Sequence, residues 1–495
     1  MQKRNSLLAV LLLAALLLSA CGTDSTETTV DTPAAESAVQ NDTAPNAETE
    51  TEARSAIDQM EAADFGGRDV HMLVRREFLY EFSAEETGDI VSDAVHSRNL
   101  EIADRLNMHL IIDDAPGSWS ESGTFLAVLS GDVLSQGGMI DAVASAANYM
   151  LPTIPNGYFF DLCNTPYVAL SEPWWSQGYV ENMTIDQSLY LATGTASLNL
   201  LDNMCTVFFN KQIAADRGAD SPYEAVKNGS WTFDKILAMT EGFTLDVNDD
   251  KKLDLNDQIG ILTYNNMNIA QQVAFGLHFS ERDADGYPQI TYMDERMTKA
   301  FDLIRDCIAK KQLCVYNPGT DTLSLTTDMQ KAFQNETVYF MYQVLSSAAV
   351  MREMEADFGI LPMPKLDDTQ DRYYTCVLEN LTVLGIPVSV TDVSASGALI
   401  EALARVGYDT VTPVYYEKAL GSKYVRDNDS AEMLDLIYDS VWFDFAYLNS
   451  VSLDGINHLF NQSLDGSLVS NFEAKKAVFE KKLTELLDGY RALKE

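Results

Sequence analysis

Residues 205–218 read CTVFFNKQIAADRG, and residues 229–244 read GSWTFDKILAMTEGFT. The first stretch is an apolar run that passes into a polar, alanine-containing segment, the pattern of a buried strand entering a helix. The second predicts a helix. Thr232 stands at its N-cap, where a hydroxyl can accept from an unpaired backbone N–H. Asp234 falls in the first turn, where the helix dipole favours a carboxylate. Phe233, Ile236, Leu237 and Met239 form its apolar face.

The same alternation continues on both sides. Upstream, RDVHMLVRREF (68–78) predicts a first strand, and residues 84–114 predict a helix followed by the strand LIIDD. Ala94, Leu100, Ile102, Ala103 and Leu106 make a loose helical stripe there. Residues 125–145 repeat helix then strand. Downstream, residues 297–312 and 326–336 predict helices, and TVYFMYQ (337–343) a buried strand. FGILPMPKLDD (358–368) predicts a strand ending in a proline-marked loop. From about residue 391 the chain predicts helices at 393–408, 430–448 and 473–495. Strands alternating with helices predict an α/β fold with parallel sheets.

A chain of 495 residues exceeds one compact core, so at least two lobes are expected. Its 46% apolar content is ample for folding, and its formal charge of −40 opposes binding to nucleic acid. The N-terminus pairs a basic MQKRNS with the apolar LLAVLLLAALLL, too short to be a convincing membrane span. Leu18-Ser19-Ala20-Cys21 follows and resembles the bacterial lipobox, which implies cleavage before Cys21 and a lipid on its thiol. Residues 1–20 are then a lipoprotein signal peptide. Residues 21–64 would be the lipidated cysteine and a disordered acidic linker, rich in Thr, Ser, Glu and Pro. The expected location is the outer face of a cell membrane, reached through the lipid anchor alone. Cys163, Cys205, Cys307, Cys314 and Cys376 remain, without zinc spacing. They read as buried thiols, with room for one disulfide that spacing does not assign.

Several of these stretches together resemble the family 1 extracellular solute-binding proteins of carbohydrate ABC importers. The match lies in Phe209-Asn210-Lys211, in Ser230-Trp231-Thr232-Phe233-Asp234, in the Pro-x-Pro loop of FGILPMPKLDD, and in their order behind a lipobox. The resemblance spans roughly residues 66 to 495. It implies a two-lobe clamshell with a hinge, each lobe a discontinuous α/β sandwich. Lobe 1 is expected from 66–202 and 341–390, and lobe 2 from 203–340 and 391–495. The implied function is a lipid-anchored receptor that captures a sugar or oligosaccharide between its lobes. A monomer would deliver this solute to ABC permease subunits, without catalysis. Sugar sites combine aromatic faces with planar hydrogen-bonding groups. By the resemblance, such groups are Asn148 and Tyr149 after a first-lobe strand, Asp202 and Asn203 at the first crossover, and Asn265, Asn266 and Asn268 after QIGILTY. Tyr342 and Gln343 at the return, and Trp442 and Asp444 near the C-terminus, complete the set. Trp174, Trp175 and Trp231 are read as packing residues.

Two alternatives are weighed against this reading. A binding protein for a peptide or another small solute has the same outline. A secreted glycoside hydrolase would need a carboxylate pair, which so acidic a sequence does not exclude, although no nucleophile elbow, HExxH or P-loop is present. LDVNDDKKLDLNDQIG (245–260) raises a separate question, because Asp246, Asn248, Asp250, Lys252, Asp254 and Asp257 occupy the ligand positions of a calcium loop. Lys251 stands where such loops place glycine, and Asp257 is a short final ligand. No cofactor is required by the function; a structural calcium is an expectation set against a plain solvated turn.

Overall fold

The computed structural model describes residues 63–317, 322–351, 354–421 and 428–494. The leader, Cys21 and the linker up to residue 62 lie outside them. Ala63 and Asp64, assigned to the linker, already belong to the fold: the Asp64 carboxylate accepts from Gly66 N–H and Asn107.

Two sheets form the body. In the first, β1 (Arg68–Arg75) lies between parallel β2 (Met108–Ala115) and β3 (Ala142–Ala146). The helices Ile90–Leu106 and Ser122–Ser135 make the crossovers, as parallel neighbours require. In the second, β4 (Cys205–Asn210) runs antiparallel to β9 (Val338–Val344) and β10 (Phe358–Pro362). There β5 (Ile259–Tyr264) lies parallel to β9 and to β8 (Cys314–Tyr316). The hairpin β6 (Ser280–Arg282) and β7 (Pro288–Ile290) stands outside this sheet. A two-residue strand, β11 (Thr375–Cys376), pairs with β13 (Val441–Trp442). β12 (Thr382–Gly385) joins the first sheet beside β3, antiparallel to it.

The two stretches that opened the sequence reading pack on each other. Every residue of β4 is buried. Asn210 ends the strand and caps the helix Lys211–Asp216 by accepting from Ile213 N–H. Thr232 caps the helix Phe233–Thr240. Trp231, 0% exposed, donates its indole N–H to the Pro362 carbonyl at 2.9 Å. Phe233 N–H bonds the Lys365 carbonyl, and Lys365 N–H the Trp231 carbonyl. The Ser-Trp-Thr turn is therefore the dock for the Pro-x-Pro loop.

The lobe boundaries differ from the expected ones. β9 was assigned to the first lobe from residue 341, yet it lies in the middle of the second sheet, and β10 follows at its edge. The chain returns to the first sheet only with β12. The helix Val393–Val406, assigned to the second lobe, packs on β3 and on the helix Ile90–Leu106 of the first. The helix Asn428–Asp439 then packs on β10, back in the second lobe. An apolar run such as TVYFMYQ declares a buried strand but not which sheet will bury it. The C-terminal helix Leu468–Ala492 touches both halves: Gly489 lies against Pro155 of the first, and the helix packs on Glu295–Ala309 of the second. No helix among the described residues is long and apolar enough to cross a membrane.

Candidate functional site between the two sheets

Parallel strands place their C-terminal ends along one edge, where connecting loops can present side chains. In the first lobe that edge carries Arg76, Glu77, Phe78 and Tyr80 after β1, Trp119 after β2, and Asn148 after β3. In the second it carries Asn265 and Asn266 after β5, Tyr316 closing β8, and Gln343 near the end of β9. Both edges meet at one short segment. Asn199, just before it, accepts from Arg75 at the end of β1. The Asp202 carbonyl accepts from Ser346 N–H and the Met204 carbonyl from Leu345 N–H, just past β9. The Asp202–Met204 crossover is thus bonded to the ends of both sheets and forms the floor between them.

A buried network makes that floor rigid. Glu81, fully buried, accepts from Ser197 and Thr382 hydroxyls and from Asn199 N–H. The Arg75 guanidinium donates to Asn199, to the Asn380 carbonyl and to Thr382, and lies 3.7 Å over the Phe78 ring. Burial pushes the Glu81 carboxyl up, against the pull of Arg75 and these donors. Asp202 is held from both sides, by Tyr80 hydroxyl at 2.5 Å and Tyr415 hydroxyl at 2.6 Å. Asn148 N–H bonds the Glu379 carbonyl, and the Glu379 carboxylate accepts from Tyr447 at 2.9 Å.

Among the expected ligands, Asn148, Asp202, Asn265, Asn266 and Gln343 lie on this floor or its rims. Asn265 and Asn266 are exposed. Asn148 Oδ1 and Gln343 Nε2 are buried without a partner, and such groups are costly unless something pairs them. Other expected ligands are committed inside the fold. Tyr149 is a core residue whose hydroxyl bonds Ser145 and the Gly117 carbonyl. Asn203 is buried and donates to Asn199 and Asn380. Asn268 is buried against Asn461. Tyr342 is buried in β9.

Asp444 is fully occupied as a cap. It accepts from Phe279, Ser280 and Tyr447 N–H groups and from the Ser280 hydroxyl, which fills the roughly four acceptor positions of a carboxylate. Trp442 pairs with Cys376, one residue from the Val377 that bridges Met204. It is the shared wall of two cavities of about 240 and 180 Å³, one with His278 and Asn182, the other with Arg372 and Tyr374. The Arg372 guanidinium lies 5.4 Å over the Trp442 ring.

The sequence reading missed Phe78, Tyr80, Trp119 and Glu379. Tyr80 is 43% and Trp119 64% exposed, unusual for large aromatics. The charged and aromatic run RREFLYE, directly after the first strand, was the available signal.

The acidic loop at 245–260 sits away from this floor, ahead of β5. Lys251 has φ +69°, the left-handed backbone that such a loop asks of its sixth position. Asp246 accepts from Lys251 N–H, Asn248 from Asp250 N–H, and Asp250 from Lys252 N–H. Asp257, 1% exposed, accepts from Val247 and Asp254 N–H groups. Lys252 offers only its backbone carbonyl, and Asp254 caps Asn256 N–H. Asp246 Oδ1 is buried with no partner. Among the described residues no three His, Cys, Asp or Glu side chains converge as a metal set. The side-chain oxygens lie in calcium-loop order, and they also close the turn by accepting its backbone N–H groups.

No family model matches the chain, and no curated protein matches it. Solved structures do. The sugar-binding protein MalE of Xanthomonas citri superposes with a TM-score of 0.55 at 14% identity, over 86% of this chain and 98% of that one. The chain has the two-lobe fold of solute-binding proteins. The maltotriose-bound MalE domain of Bdellovibrio bacteriovorus matches at a TM-score of 0.48 and 14% identity, over 86% and 100% of the two chains. A Listeria monocytogenes ABC substrate-binding protein in complex with cycloalternan matches at 0.49 and 11%, over 85% and 97%. In this two-lobe fold three segments cross between the sheets: Asp202–Met204, the return at residues 373–381, and the passage after Val406.

Proposed function

We propose that this chain captures a sugar or oligosaccharide between its two lobes and presents it to the permease of an ABC importer. The observation that carries this reading is the convergence of both strand-end edges on the Asp202–Met204 crossover. Exposed Tyr80 and Trp119 lie on one side and exposed Asn265 and Asn266 on the other. Aromatic faces suit the apolar faces of sugar rings, and carboxamides suit hydroxyls. The MalE proteins whose fold it shares are sugar-binding. A ligand touching both rims favours the closed arrangement, because only there does it gain both sets of contacts. The buried Glu81–Arg75–Thr382 network keeps the hinge floor in one geometry while the rims move.

In this reading Cys21 carries the lipid that holds the receptor at the outer membrane face, and the chain performs no chemistry on its solute. Titration calorimetry with linear and cyclic oligosaccharides, and with peptides as the competing class, tests it. Saturable binding of one glycan with no product released is the expected result. Tyr80→Ala and Trp119→Ala should each weaken that binding by roughly tenfold, about 1.4 kcal/mol, in keeping with the loss of one ring contact. Binding of peptides alone, or hydrolysis of the glycan, would overturn it.

A further inference from the structure

The two segments that cross between the lobes in opposite directions lie side by side at the floor between the sheets. Met204 and Val377 form an antiparallel bridge, and Leu378 N–H donates to the Asn203 carbonyl at 3.2 Å. In this register the next pair outward is Cys205 opposite Cys376. Both are wholly buried and both are free thiols in the structure; the Cys205 thiol donates to the Asn203 carbonyl at 3.8 Å and the Cys376 thiol to the Val377 carbonyl at 3.5 Å. Opposed residues of such a pair stand about 5.5 Å apart at Cα, within the disulfide range of roughly 4.4–6.8 Å. Among the described residues the other three free cysteines lie on other elements: Cys163 in the first lobe, Cys307 on the helix Glu295–Ala309, and Cys314 on β8.

We propose that Cys205 and Cys376 join as a disulfide that staples the outgoing crossover to the returning one. The proposal rests on the exported-receptor reading for its oxidising surroundings, but its geometry is independent of which solute binds. The thiolate of one cysteine attacks a disulfide oxidant, giving a mixed disulfide and one released thiol. The second thiolate then displaces the oxidant's other sulfur. Two S–H bonds are lost, one S–S bond forms between the residues, and the oxidant leaves as two thiols. This happens while the chain folds. In the finished fold the buried Cys205 thiol has its pKa pushed up and is a poor nucleophile. The staple closes a loop from 205 to 376, and so restrains the unfolded chain strongly. It leaves each lobe free to rotate about a covalently fixed floor.

The test refolds the full chain, reduced, in oxidised glutathione. Free thiols are then blocked with iodoacetamide in denaturant, and the non-reduced protein is mapped by peptide mass spectrometry. A peptide joining Cys205 to Cys376 is expected, absent in Cys205→Ser. Reduction of the oxidised protein should lower Tm by roughly 5 °C, a readout that stands even if the variant fails to fold. Blocked Cys205 and Cys376 in the map, linkage to another cysteine, or a Tm indifferent to reductant would overturn the inference. Oligosaccharide titration of the same sample separates it from the functional reading. Binding without the cross-link sinks only the staple, and the cross-link without binding sinks only the receptor.

Discussion

At the scale of single residues, buried carboxylates set the chemistry of this acidic chain. Glu401, 3% exposed in the helix Val393–Val406, accepts from the indoles of Trp174 and Trp175, each at 2.8 Å, and from Ala169 N–H. Both tryptophans are therefore packing residues with a polar anchor. Burial outweighs these three donors and pushes the Glu401 carboxyl up to about 7 from an ordinary 4.5. The folded state thus keeps a proton that the unfolded chain has released. Its effect on stability is neutral below about pH 4.5 and grows unfavourable as pH rises to about 7. The full effect is of order 3 kcal/mol. Urea melts at several pH values should show Glu401→Gln gaining on the wild type across that window. A constant difference between the two proteins would refute it.

At the scale of elements, two local devices invite measurement. Trp231 locks the Phe233–Thr240 helix to β10 through its indole N–H and packs its ring on Phe340 of β9, so Trp231→Ala should cost about 3–5 kcal/mol in chemical denaturation. In the acidic loop, Asp257→Ala removes the acceptor that closes the turn. It should cost about 2–4 kcal/mol, measured in calcium-free buffer. We propose the loop as a brace for β5 whose own hydrogen bonds suffice. A Tm rise in millimolar calcium, lost in Asp250→Asn, would show that an ion shares the task. The elements themselves were legible in sequence, because strand and helix periods, the Thr232 cap and the Asn210 strand end are local signals. The ligand candidates were less so. Asp444 and Tyr149 sit in loops that look like site loops, yet what consumes them, Phe279 and Ser280 for one and Gly117 for the other, is distant in sequence. Partners that far away leave no trace in a local pattern.

At the scale of the whole molecule, the α/β class and the two-lobe fold followed from strand–helix alternation and the ordered motifs. The lobe assignment did not. β9 and the helix Val393–Val406 each went to the wrong half, since apolar faces state a need for cover without naming the cover. The true path passes between the halves three times, and that has a consequence in time. The first sheet gains its last strand, β12, only at residue 382, long after β3 ends at residue 146. A chain emerging end-first cannot complete its first half until most of its second half has also emerged. Contacts of such separation fold slowly. A slow-folding thread remains a thread long enough to be passed through a narrow pore, so the order of the strands suits the exported receptor proposed above.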